Sequence, residues 1–305
     1  MGLAIECRGV EKSLSGRKAV DHLDWSAECH RFHGLVGANG AGKTTLLRLI
    51  LGVLKADRGT LAVLGQTAGP ANADLRQHVI YVASHQRFPQ GWTVEEWLRY
   101  LSLIYKRWNA RMATRLLDAM AILPKTSIGA LSTGAQASLR MASAVASRPA
   151  LLLLDEATNG MDAVVKQQML RLLLDFFAAE EATVVMATHA LDELEQVAET
   201  VSILHGGRLV MQQDLERLKK EVHRLQVVVG SGWAPDSLRH PEVLDVQWRG
   251  QVAMVTVTGS LDAWGTRLKQ AGAVLVEPVD TPFGEIFRSV MKREGYARDD
   301  VVWDA

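Results

Sequence analysis

Short apolar runs alternate along the chain with longer stretches in which apolar residues recur at helical spacing. Leu35 and Val36 end one such run at a glycine-rich turn. Leu46, Leu47, Ile50 and Leu54 then recur every three or four residues, which predicts a strand, a turn and a helix over 43–54. VIYVAS (79–84), ALLLLDE (150–156), ATVVMATH (182–189) and TVSILHGG (200–207) read as further strands. The middle two are apolar on both faces, as strands buried inside a parallel sheet are. Helical spacing falls between them, over 94–105, 110–121, 132–147, 163–178 and 191–197. Alternation of this kind predicts an α/β fold around a parallel sheet. No strand is expected over 94–147, so that segment reads as a helical insertion.

The pattern changes near Leu225. LQVVVG, VLDVQWRG and QVAMVTVTG alternate apolar and polar, as half-exposed antiparallel strands do. LDAWGTRLKQAG then reads as a helix, AVLVEP as a strand and TPFGEIFRSVMKREG as a C-terminal helix. The expected organisation is a first domain over 1–213, a charged linker helix over 214–224 and a small α+β domain over 225–305.

Composition narrows the function classes. The 305 residues hold 34 Lys plus Arg and 34 Asp plus Glu, so the formal charge is zero. This gives no electrostatic reason to expect a nucleic-acid partner. Two cysteines are too few for a disulfide framework. The N-terminus lacks a charged start followed by an apolar core, so no signal peptide is expected. No apolar run approaches the roughly 18–20 residues of a membrane-spanning helix. If the protein serves a membrane, another chain does the spanning.

The glycine turn carries the first chemistry. Gly37-Ala38-Asn39-Gly40-Ala41-Gly42-Lys43-Thr44 has the P-loop spacing, with Thr45 following. Glycines let consecutive backbone N–H groups turn inward around phosphate oxygens. The helix opening at Lys43 adds a partial positive charge. Lys43 is expected to reach the β- and γ-phosphates, and Thr44 to place its hydroxyl on Mg²⁺. By itself the loop indicates a nucleoside triphosphate and no class of enzyme.

LLLLDEATNGMD supplies the second half. Its leucines predict a buried strand that delivers Asp155 to a polar end where Mg²⁺ would sit. Glu156 follows, placed to polarise an attacking water; alone, the Asp-Glu pair would equally suit a helix cap. The segments do not stand alone. GANGAGKTT, LLLLDEAT, NGMD, ATHALDELE and, between the first two, LSTGAQ occur together, and this set resembles the nucleotide-binding subunit of an ABC transporter over residues 1 to about 215. The resemblance implies a P-loop NTPase fold of ABC type, with its helical subdomain at about 94–147. It makes Glu156 the catalytic carboxylate, His189 the switch histidine at the γ-phosphate and Asp162 part of the D-loop. It also makes Ser132, Thr133, Gly134 and Gln136 a signature segment offered to ATP bound on a second, head-to-tail subunit. Implied with these are ATP and Mg²⁺, a paired nucleotide-binding subunit and a separate integral-membrane permease. The chain would then lie at the cytoplasmic face of the membrane, peripheral through that permease.

The sequence departs from the family pattern in three places. Leu14 holds the position of an aromatic residue that stacks on adenine. Counting from Tyr81 to Thr93-Val94 puts Ser84 in the place of the glutamine that reports on Mg²⁺, with Gln86 two residues on; both are candidates. The signature reads Ser-Thr-Gly-Ala-Gln. YLSLIYKRWNARMATRLLDAMAIL and TPFGEIF are similar to segments of bacterial ABC-2 exporter ATPases, which implies export. Trp92, Trp97 and Trp108 are read either as a docking surface for the permease or as core of the helical subdomain. Two rival readings remain at this stage: a soluble ABC ATPase outside transport, and a slow or non-hydrolysing regulatory subunit.

Overall fold

The computed structural model describes residues 2–293. It divides into two compact units between Gln212 and Gln213. The first unit opens with β1 (Leu3–Leu14) and β2 (Arg17–Glu28), then β3 (Phe32–Val36) and α1 (Lys43–Ile50). Next come β4 (Arg58–Val63), β5 (Gln66–Thr67), β6 (Val79–Ala83), α2 (Val94–Ile104), α3 (Ala110–Ala119) and α4 (Thr133–Ala146). It ends with β7 (Leu151–Asp155), α5 (Ala163–Glu180), β8 (Thr183–Thr188), α6 (Leu191–Val197), β9 (Thr200–His205) and most of β10 (Arg208–Asp214), whose last two residues fall in the second unit.

Six strands form one sheet in the order β10-β9-β3-β8-β7-β6. β3 pairs in parallel with β8 and β9, and β7 with β6 and β8. Every residue of β3, β7 and β8 is buried. That explains their unbroken apolar runs, since both faces are covered. The register sets Asp155 beside Ala83 and Ala187, and Val36 beside Thr188. The segments leaving β3, β6, β7 and β8 therefore start at one edge of the sheet, where open α/β sheets place their ligands.

The second sheet, β2-β1-β4-β5, has no counterpart in the sequence expectations. Its pairing is antiparallel and irregular, with four register shifts between β1 and β2. Bulges of this kind break strict alternation, the signal by which strands are read. α1 is buried between the two sheets. Leu46, Leu47, Leu49 and Ile50 share a cluster with Leu23 and Trp25 of β2 and with Leu151 and Leu153 of β7. Each such buried side chain contributes about 1.5–3 kcal/mol. The helix stops at Ile50, short of the expected residue 54, and Gly52 follows in the left-handed region.

Among the described residues, 94–147 holds helices and one isolated bridge, between Thr93 and Ser127. α2 opens on a capping box, in which Thr93 and Glu96 satisfy each other's backbone N–H groups. α3 opens on Asn109 and α4 on Ser132. Val94, Leu117, Ile122, Ile128 and Leu139 form the core of this insertion.

The second unit contains α7 (Leu215–Glu221), β11 (Val222–Val229), β12 (Val243–Arg249), β13 (Val252–Thr258), α8 (Leu261–Gln270), β14 (Ala273–Val279) and α9 (Phe283–Arg293). The linker helix expected over 214–224 is corrected here. It is two turns long, and residues 222–224 begin a strand paired with β13. Each of them pairs in antiparallel register with a residue of β13, so they belong to the sheet rather than to the helix. The sheet order is β12-β13-β11-β14, and Trp264 and Leu268 of α8 pack on Leu225, Val227, Val255 and Val257. The end of the expected C-terminal helix, 294–295, lies outside the described residues. No described helix is long and apolar enough to cross a membrane.

Candidate functional site

The glycine loop is shaped by backbone contact. A Cβ on Gly37 would lie 2.5 Å from the Leu204 carbonyl oxygen, and one on Gly42 would lie 2.3 Å from that of Ala19. Gly42 also has φ +106°, which side chains with a Cβ rarely adopt. Between them Ala38, Asn39 and Gly40 form a half-buried to exposed rim. Ala41 is buried and donates its N–H to the Ala38 carbonyl. Thr45 is half-buried in the first turn of α1.

Lys43 is buried, and its Nζ donates to the carbonyls of Gly37 (2.5 Å) and Ala38 (3.4 Å). The same Nζ lies 3.7 Å from Glu156 Oε1. Burial holds this ammonium below the usual lysine range, against the pull of the Glu156 and Asp155 charges. Asp155 is 3% exposed. It accepts from Thr44 Oγ1 at 3.1 Å and from the Tyr81 hydroxyl at 2.7 Å. Burial and the bond to Asp155 push the Tyr81 phenol above its ordinary range, so it stays a donor.

Glu156 sits in the left-handed region, φ 51°, just beyond the end of β7. Its backbone N–H donates to Ala187. Its carboxylate lies 2.8 Å from His189 Nδ1 and accepts from Asn159 Nδ2 at 3.3 Å. The other oxygen, Oε1, is buried with no hydrogen-bond partner. Lys43, Thr44, Asp155, Glu156 and His189, spread over 147 positions of sequence, thus converge at one edge of the parallel sheet.

Ser84 and Gln86 occupy different places. The Ser84 N–H donates to the Asp155 carbonyl at 3.3 Å, so Ser84 is held beside the Asp155 backbone. The Gln86 carbonyl instead accepts from Arg140 of α4 at 3.0 Å. Leu14 is 39% exposed, at the end of the β1–β2 hairpin whose Ala19 closes over Gly42.

Ser132 caps α4, accepting from the Ala135 N–H. Thr133 is exposed, and Gly134 backs onto the Gly160 carbonyl. Gln136 folds back to donate to Leu131. Among the described residues no hydrogen bond or ion pair joins 132–136 to the Lys43–His189 group. Asp162 caps α5 through the N–H groups of Val164 and Val165. Trp97 donates to Ser143 and is half-buried, with Trp92, against the core of the insertion; Trp108 is also half-buried.

Several contacts in and around the site escaped the sequence reading. Tyr81 supplies the second donor to Asp155; its only signal was a polar group inside an otherwise apolar strand. Thr158 donates to Glu193 at 2.6 Å, and Lys166 pairs with the same carboxylate. These bonds tie the segment after Glu156 to the helix after His189. Arg140 reached the Gln86 loop from a helix 54 positions away.

Comparison with known proteins agrees with this arrangement. The family model described as ABC transporter matches residues 20–159. The chain is 31% identical over 223 residues to the ABC transporter ATP-binding protein YtrB of Bacillus subtilis, covering 73% of this chain and 76% of the relative. It is 30% identical over 262 residues to the Nod factor export ATP-binding protein I of Rhizobium sp. (strain N33), covering 82% and 84%. Its fold resembles a solved ATP-binding subunit of an ABC transporter, with TM-score 0.65 at 22% identity over 71% of this chain and 92% of that one. The parallel sheet, the polar groups gathered where its strands end and these likenesses agree on a single assignment: the chain belongs to the ABC transporter family, as one of its ATP-binding, ATP-hydrolysing subunits.

Proposed function

We propose that the chain grips Mg²⁺-ATP at the edge where β3 and β7 end, closes the site with the signature segment of a second nucleotide-binding subunit, and so drives a separate permease in the direction of export. The observation that carries this reading is the division of the site. The Lys43 ammonium, the Thr44 hydroxyl, His189 and two carboxylates converge on one edge, while 132–136 present a helix N-terminus that, among the described residues, has no hydrogen bond or ion pair to any of them. A helix N-terminus favours anions, so its natural partner is a phosphate held by another copy of the fold.

Thr44 and Asp155 offer hard oxygen ligands 3.1 Å apart, which fit Mg²⁺. When bound, the ion neutralises charge building on the β- and γ-phosphate oxygens. The chain's own groups do the rest. Lys43 exchanges the Gly37 and Ala38 carbonyls for phosphate oxygens, a charge-assisted bond in place of a neutral one. Glu156, one of whose oxygens is buried and takes no hydrogen bond, orients the attacking water. His189 fixes the other oxygen and lies where the γ-phosphate would arrive. Ser84, bonded to the Asp155 backbone, is the favoured reporter of the metal site over Gln86. Leu14 covers the base by apolar contact alone.

Export is supported by the Nod factor export relative and by the TPFGEIF segment of the second unit. The half-buried Trp92 and Trp97 suit both earlier readings, since their rings pack on the insertion's core and still offer an edge to a permease at the cytoplasmic face of a membrane. The zero net charge supports no role on nucleic acid. The test is Glu156→Gln. Nucleotide should bind with affinity within a few-fold of wild type, while turnover drops at least about a hundredfold, the scale of losing a positioned general base. Unchanged turnover would remove Glu156 from the mechanism.

A further inference from the structure

Beneath the loop that follows β6 lies a cavity of about 110 Å³, bounded by Tyr81, Gln86, Phe88, Trp97, Tyr105 and Arg140. Roughly 10–15 Å³ would hold one water, so this space accommodates the tip of a side chain. Arg140 is its unusual member. The residue is 8% exposed. One nitrogen donates to the Gln86 carbonyl, and the guanidinium stands 5.5 Å from the Phe88 ring centre. Its Nε is buried with no hydrogen-bond partner. Among the described residues no carboxylate pairs with it, and burial alone acts on its pKa, downward. None of the residues lining the cavity is acidic, and Arg87 adds a second guanidinium. A buried cation without a countercharge and with an idle N–H is unfavourable.

We propose that this cavity receives an aspartate or glutamate side chain from the membrane partner, held by Arg140. The proposal rests on the reading that a permease docks beside the helical insertion. Charge complementarity selects the occupant: two guanidinium groups and no acid line the space, and one of the guanidiniums, that of Arg140, is buried without a countercharge. The planar guanidinium matches a carboxylate in shape as well as charge. Phe88 and Trp97 keep water from the contact and strengthen it. The incoming acid competes with the Gln86 carbonyl for Arg140. Gln86 lies two residues beyond Ser84, whose N–H is bonded to Asp155. Docking is thereby felt at the nucleotide site through a short length of main chain.

The test uses the tagged full-length chain captured with its membrane partner from native membranes. Wild type and Arg140→Lys are treated with a carbodiimide, which joins an amine to a carboxylate with loss of water, taken up by the reagent as a urea. A guanidinium does not react. Expected is a new cross-link between position 140 and one acidic residue of the membrane protein, absent from wild type. Arg140→Gln should lower recovery of the membrane protein at least tenfold, with fluorescent-ATP affinity of the isolated chain within twofold as the check on folding. A cross-link to an acid of this chain, whether its own or a second copy's, overturns the proposal. So does absence of any cross-link while the membrane protein still co-purifies, which is the result if only water or a free anion fills the cavity. Should Arg140→Gln fail to bind nucleotide, the Arg140→Lys cross-link decides alone. If wild type captures no membrane protein, the docking reading itself falls first.

Discussion

Replacing Tyr81 with phenylalanine removes one atom from the site. The hydroxyl donates at 2.7 Å to Asp155, a carboxylate 3% exposed whose only other side-chain donor among the described residues is Thr44. A hydrogen bond to a charged group contributes about 1.5–3 kcal/mol, and a buried acceptor left unpaired forfeits that range. Tyr81 itself is half-buried, so the lower half of the range applies. For a unit of this size, 1.5–2 kcal/mol corresponds to a fall in melting temperature of about 3–8 °C. The assay is thermal unfolding of Tyr81→Phe and wild type, each without nucleotide and with saturating Mg²⁺-ATP. The difference should narrow with Mg²⁺-ATP, because the ion supplies Asp155 with a new countercharge. Without nucleotide, Ser84→Ala serves as control, since Ser84 contributes only its backbone N–H to this network. A Tyr81→Phe shift below 1 °C, or one unchanged by Mg²⁺-ATP, would refute the idea that Tyr81 steadies a metal-binding carboxylate.

Two further outcomes are expected. Leu14→Tyr should tighten ATP binding, by several-fold to about a hundredfold, if an aromatic face adds the roughly 1–3 kcal/mol of base stacking; an unaltered dissociation constant in a fluorescence titration would show that another side chain already covers the base. His33 is buried, with Nδ1 2.6 Å from Thr200 Oγ1 and Nε2 2.9 Å from the Glu28 carbonyl, and burial holds its pKa below the ordinary histidine value. Its contribution is therefore whole above about pH 6.5 and lost as pH falls toward the folded value, at up to about 1.4 kcal/mol per pH unit. Denaturant titrations between pH 7.5 and 5 should show His33→Gln with a flatter decline than wild type, and parallel declines would exclude His33 as the source.

Much of this site is contiguous in sequence, and that much was legible. The loop 37–44 is a local structure whose glycines are dictated by close backbone approach, so its spacing survives as a pattern. Buried parallel strands announce themselves by unbroken apolar runs, and LLLLD places Asp155 at a strand end without any knowledge of its neighbours. What the chain could not declare is which distant residues those ends meet. Tyr81 reaches Asp155 across 74 positions, and Arg140 reaches Gln86 across 54. Such contacts are fixed by strand order and register, which no local period encodes. The bulged β1–β2–β4 sheet was invisible for a related reason: each register shift resets the alternation. What favours Ser84 over Gln86 is likewise a pair of hydrogen bonds, to Asp155 and from Arg140, made only once β6 lies beside β7. Local steric demands and burial wrote the motifs into the sequence; the meeting of segments, a long-range packing outcome, wrote the geometry of the site.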